Sequence, residues 1–172
     1  VIDFRYALDP NGEPFSQVRV HALAAGDGKV FAGTMPDSYL RGGCIGWYDT
    51  VTGETYVERN VVQNQSINAL VYHDGYLYGT TTVAGGTGSG TDESLSAKMF
   101  IYDVANKRKV AEYDLHDYIS GLPTRLSYIG GIAADPNIAT NGKVWGVVAE
   151  TLFSFTFNKK TGAITVKEEM VL

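Results

Sequence analysis

The sequence predicts an all-β chain, a partial β-propeller of about three and a half four-stranded antiparallel blades. Three observations carry that expectation: a long-period internal repeat, period-two alternation inside each copy, and paired turn residues at equivalent places. Gly28, Gly75 and Gly142 align, at separations of 47 and 67 residues. A period of forty to fifty, once broken by an insertion, suits blades better than any helical repeat.

Each copy opens on a small-residue strand, as in Val20-His21-Ala22-Leu23, Ile67-Asn68-Ala69-Leu70 and Gly130-Gly131-Ile132-Ala133. Asp27-Gly28, Asp74-Gly75 and Asn141-Gly142 follow as two-residue hairpin signals, because both turn positions tolerate positive φ. The second strands read Lys29–Thr34, Tyr76–Thr80 and Lys143–Gly146, with Phe31, Tyr78 and Trp145 at one position. Those aromatics are expected to fill the space between sheets. Ala32, Gly79 and Gly146 recur one residue later, as expected where inner strands crowd an axis. Third strands end at Asp49, Asp103 and Asn158, whose side chains can bond backbone two residues on and cap the turn to a fourth strand. Residues 1–18 are expected to supply the outer hairpin of a preceding blade, and residues 19–66, 67–127 and 128–172 one blade each. Fourteen strands result, with one short helical turn near Leu115–Ile119.

The pattern of small-residue strand, Asp-Gly hairpin, Gly-Thr and aromatic-Tyr-Asp-x-x-Thr-Gly resembles the quinoprotein-like and kelch-like bacterial β-propeller superfamily. The resemblance covers nearly the whole chain and implies a fold, not an activity. The Trp-Asp signature of another large propeller group and the paired glycines of true kelch repeats are missing. Propellers of this kind usually close with six to eight blades. Open blade faces are therefore expected to form a homo-oligomer or to meet the remaining blades of a parent protein. Val1 stands where an initiator Met would, so the expected parent is longer, bacterial and exported, placing the chain outside the cell or on its surface.

Composition narrows the partners. The 172 residues carry 14 basic and 19 acidic side chains, a net charge of −5, and no cationic cluster to neutralise a phosphate backbone, so no nucleic acid is expected. No run of eighteen apolar residues exists, so no membrane span is expected. The one cysteine, Cys44, reads as a small buried hydrophobe. His21, His73 and His116 are far apart and show no ligand spacing, so neither metal nor other cofactor is expected.

Candidate ligand-binding residues come from the loops that should share one face: 35–43, 60–66, 83–97, 116–127 and 149–151. Asp37, Tyr39 and Arg41 would offer a carboxylate, an aromatic platform and a cation, a mixture suited to sugars or acidic groups. The insertion Gly85-Gly86-Thr87-Gly88-Ser89-Gly90-Thr91-Asp92-Glu93 lacks the Lys and following helix of a phosphate cradle. It reads as a flexible loop on the ligand face, with Asp92 and Glu93 as contacts. His116, Tyr118, Arg125 and Glu150 complete the candidates. No catalytic constellation emerges, which favours a non-catalytic module binding a glycan or a protein. A propeller polysaccharide lyase or glycosidase is the alternative, using Arg41, His116, Tyr118, Arg125 or Glu150. A plain architectural spacer is the third reading.

Overall fold

The computed structural model describes residues 2–90 and 92–172; Val1 and Thr91 of the insertion lie outside the described residues. The chain is all-β, three four-stranded antiparallel sheets, each a simple up-and-down meander. The first holds β1 (Gln17–Gly26), β2 (Lys29–Pro36), β3 (Cys44–Asp49) and β4 (Thr55–Arg59). The second holds β5 (Ser66–His73), β6 (Tyr76–Thr82), β7 (Met99–Asp103) and β8 (Arg108–Tyr113). The third holds β9 (Ile132–Ala134), β10 (Lys143–Val148), β11 (Thr151–Asn158) and β12 (Ala163–Val171). Twelve named strands thus replace the fourteen expected, because residues 3–17 form only a bent hairpin with one bridge, Leu8 to Pro14.

The sheets stack in chain order, with β1 packed against β5 and β5 against β9. One core lies between the first and second sheets, built on Phe31, Ile45, Trp47, Leu77, Phe100 and Tyr102. A second lies between the second and third, with Tyr78, Met99, Ile101, Val144, Phe153 and Phe155. Each sheet therefore has a front face, toward the sheet before, and a back face, toward the sheet after. Phe31 stacks on Tyr72 at 4.9 Å and Tyr78 meets Phe155 at 5.9 Å, the inter-sheet filling expected of them. Trp145 behaves differently: its Nε1 donates to Asp135 at 2.7 Å and Lys143 lies over its ring.

The small residues have another cause than crowding at an axis. A Cβ on Gly79 would lie 2.1 Å from the ring of Phe100, its cross-strand partner, and one on Gly146 would lie 2.5 Å from Phe153. An aromatic ring lies over each glycine and covers the exposed backbone. In the first sheet the glycine sits on β3 instead, and the ring arrives from outside: Phe4 presses on Gly46. The amino-terminal hairpin therefore covers part of the first sheet's front face.

Asp27-Gly28 and Asp74-Gly75 make two-residue turns with positive φ at both positions. Asn141-Gly142 does not. Asp135 accepts from the Asn137 amide and the Asn141 side chain, which winds the connection into α1 (Ile138–Asn141) with Gly142 as its left-handed C-cap. A 3-10 turn, Leu115–Asp117, falls where a helical turn was expected. The caps after the third strands form as read: Asp49 accepts from Val51 and Thr52, Asp103 from Asn106, Asn158 from Lys160.

Candidate binding face

The Gly-rich insertion joins β6 to β7, and it is tied down. Tyr39 N donates to Thr87 O at 2.9 Å and Gly86 N to Leu40 O at 2.8 Å, so the insertion is laced to the β2–β3 loop of the first sheet. Glycine is required for that contact, since a Cβ on Gly86 would stand 1.7 Å from Asp37 O. Arg19 of β1 adds a bond to Thr87 Oγ1 at 3.1 Å.

Two arginines then hold the insertion from opposite sides. Arg41 Nη1 donates to Val83 O at 3.2 Å, while its Nη2 donates to Ser89 O and Gly90 O at 3.3 and 2.8 Å. Arg125 Nε donates to Leu95 O at 2.8 Å, its Nη2 to Asp92 O at 3.0 Å, and its Nη1 pairs with Glu93 at 3.2 Å. A guanidinium suits this task because its five fixed donors reach several carbonyls at once. The expected flexible loop is thus a braced one. Both cations offered as ligand contacts are largely committed to its backbone.

The other predicted residues divide. Asp37, Tyr39 and Arg41 do not converge: Asp37 pairs with Arg5 at 3.0 Å, and Tyr39 lies exposed against Gly88. Asp92 turns inward on its own loop, accepting from the amide and hydroxyl of Ser94. His116 is engaged at both nitrogens, Nδ1 with Asp114 at 2.5 Å and Nε2 with Pro123 O at 2.8 Å. Those contacts, the Pro123 carbonyl first, raise its pKa above 6.5. Burial pushes Asp114 up, but Lys98 and the His116 amide and ring overcome it and hold the carboxyl at about 2. A histidine so committed makes a poor general base. Tyr118 packs edge-on against Tyr113 at 6.3 Å.

What the fold does assemble is a pair of neighbouring clefts sharing Tyr128. One, of about 410 Å³, is floored by Thr82–Gly86 and walled by Gly88–Gly90, Arg125 and Ser127. The other, of about 740 Å³, lies between residues 120–123, the β10–β11 turn with Glu150, and Glu168. Tyr128 bridges to Thr82 through its backbone and keeps 59% of its surface in solvent. It was not foreseen; the signal was an aromatic beside Gly130-Gly131, immediately past the loop stretch that ends at Ser127. Arg125 and Glu150 are the predicted residues that line the two clefts, one in each.

A buried device below this face was also missed. Gln17 Oε1 accepts from Thr34 Oγ1 at 2.8 Å, and Thr34 Oγ1 accepts from Cys44 N at 2.9 Å. Gln65, Thr81 and Lys98 repeat the arrangement in the second sheet. Gln17 Nε2 reaches Gly42 O and Gln65 Nε2 reaches Ser96 O, so each latch also holds the end of the loop entering the third strand. Cys44 is buried beside the first latch, and burial pushes its thiol up to about 12. No family model matches the chain, and no curated protein matches it.

Proposed function

We propose that this chain is a β-propeller segment of a larger, exported protein, and that its loop face binds a glycan without transforming it. Three stacked meanders whose first strands lie side by side support the propeller reading. The exposed ring of Tyr128, set between two clefts, carries the ligand reading. An aromatic ring offers a flat apolar platform for a sugar face, while the exposed Ser127 beside it offers a hydrogen-bond partner to hydroxyls. The bracing by Arg41 and Arg125 lowers the ordering cost of binding.

A glycan array followed by calorimetry on the best binder tests it. Tyr128→Ala should weaken that binding about tenfold or more, equivalent to roughly 1.4 kcal/mol. An array without a single binder, or a Tyr128→Ala variant with unchanged affinity, would overturn the reading. The hydrolase alternative draws on Glu150 and Glu168 lining one cleft. Release of reducing sugar from a bound oligosaccharide, lost in Glu150→Gln, would favour it.

A further inference from the structure

One wall of the larger cleft is the stretch 120–124, with Ser120, Gly121, Leu122 and Pro123 lining it. Its ends are anchored: buried Ile119 precedes it, and braced Arg125 and buried Leu126 follow. Between those ends Leu122 packs partly against the core of the second and third sheets, and Gly121 takes φ +72, a conformation that glycine enters without strain. Among the described residues, the backbone of 120–124 makes two hydrogen bonds. Ser120 N donates to the Glu168 carboxylate of β12 at 2.8 Å, and Pro123 O accepts from His116 Nε2 at 2.8 Å.

His116 faces an acceptor at each ring nitrogen. Nε2 meets the Pro123 carbonyl, which cannot donate, and Nδ1 meets Asp114 Oδ1 at 2.5 Å. Asp114 is ionised, its carboxyl held at about 2, and its other oxygen takes Lys98 Nζ at 2.5 Å. A neutral imidazole carries one N–H and serves one of these acceptors, whereas the imidazolium serves both. We propose that residues 120–124 form a proton-gated flap of the larger cleft, latched when His116 carries both ring protons and released when it carries one. The remaining proton stays on Nδ1, because a carboxylate is the stronger acceptor. The bare Nε2 lone pair then faces the Pro123 carbonyl, and the contact becomes repulsive. The charged groups facing the ring are Asp114 from its own connection and Lys98 from the residue before β7. Pro123 and Asp114 favour the charged ring, burial and Lys98 oppose it, and the balance lies above 6.5. The latch is therefore complete below 6.5 and is lost as pH rises through the folded value. The flap rests on these contacts and not on the glycan reading.

Carbon-13 relaxation at Gly121, Leu122 and Thr124 of the full chain, read beside the His116 ring nitrogens, tests the flap. At about pH 5.5 both nitrogens should be protonated and the three Cα order parameters should lie near about 0.85, that of ordered backbone. At about pH 9 Nε2 should be bare and the same sites should fall below about 0.6, with β7 unchanged. The ring and the flap should share one midpoint. His116→Gln cannot gain a charge, so its flap should be mobile at both pH values under an unchanged circular dichroism spectrum. Asp114→Asn withdraws the carboxylate and should move both midpoints to lower pH together. A flap equally ordered at both pH values, a midpoint more than about one pH unit from that of the ring, or a pH step that survives His116→Gln would each overturn the proposal. Where His116→Gln disturbs the fold, Asp114→Asn decides: a flap midpoint that stays while the ring's moves also overturns it.

Discussion

Arg41 and Arg125 show how a residue type can be legible while its use is not. Both stood out as loop cations, but their acceptors are main-chain carbonyls, which any sequence supplies and none advertises. Arg41→Ala removes three such bonds and should destabilise the insertion by about 1–3 kcal/mol, read as faster amide exchange across residues 83–90 with the three sheets unchanged. Arg41→Lys keeps the charge but not the fork, and should recover less than half of that protection. The pair His116 and Asp114 predicts a pH window. The pKa of His116 is raised above 6.5, so its contribution is complete below 6.5 and is lost as pH rises through the folded value. That of Asp114 is lowered from 3.8 to about 2, so its contribution is complete above 3.8 and is lost as pH falls toward 2. The connection carrying them should be most stable between those limits. His116→Gln should flatten the alkaline side of a stability–pH curve and leave the acid side in place.

The strands show the opposite balance. Alternation and the Asp-Gly turns made the first two sheets readable almost strand by strand, because local φ preferences and pairing agree there. Asn141-Gly142 failed as a hairpin because Asp135 collects three local donors and winds the segment first. The Gln–Thr latches escaped for a countable reason. Gln17 precedes Thr34 by 17 residues and Gln65 precedes Thr81 by 16, since β1 carries two bulges and β5 one. That extra residue hides the alignment. Thr81→Val should cost about 1–3 kcal/mol, because it strands Gln65 Oε1 and the Lys98 amide in a buried setting. The third sheet has Val148 at this place, so Val148→Thr alone should not stabilise: no glutamine is there to meet it.

Across the whole molecule, the main strand packing among the described residues runs between neighbouring sheets, which makes stability approximately a sum of sheets and interfaces. The two ends of the stack are then the weak points, and they differ in kind. The back of the third sheet is furnished with Lys143, Lys167 and Glu169, while the front of the first is part bare and part covered by Phe4. Phe4→Ala should cost about 1–3 kcal/mol and lower the first unfolding step in denaturant more than the last. Fold class and sheet order could be anticipated because they follow from the repeat. The clefts beside Tyr128 could not, since they are made where three connections of unrelated sequence meet.

The insertion braced by Arg41 and Arg125 has a bearing on the order of assembly. One arginine enters from the first sheet's loop and the other from the stretch leading into the third, so neither brace exists until its own neighbour is in place. The cleft beside Tyr128 is complete only when both braces are in place. On the glycan reading proposed above, capture would then report on the bracing from the first sheet's loop, and a half-folded chain would not bind.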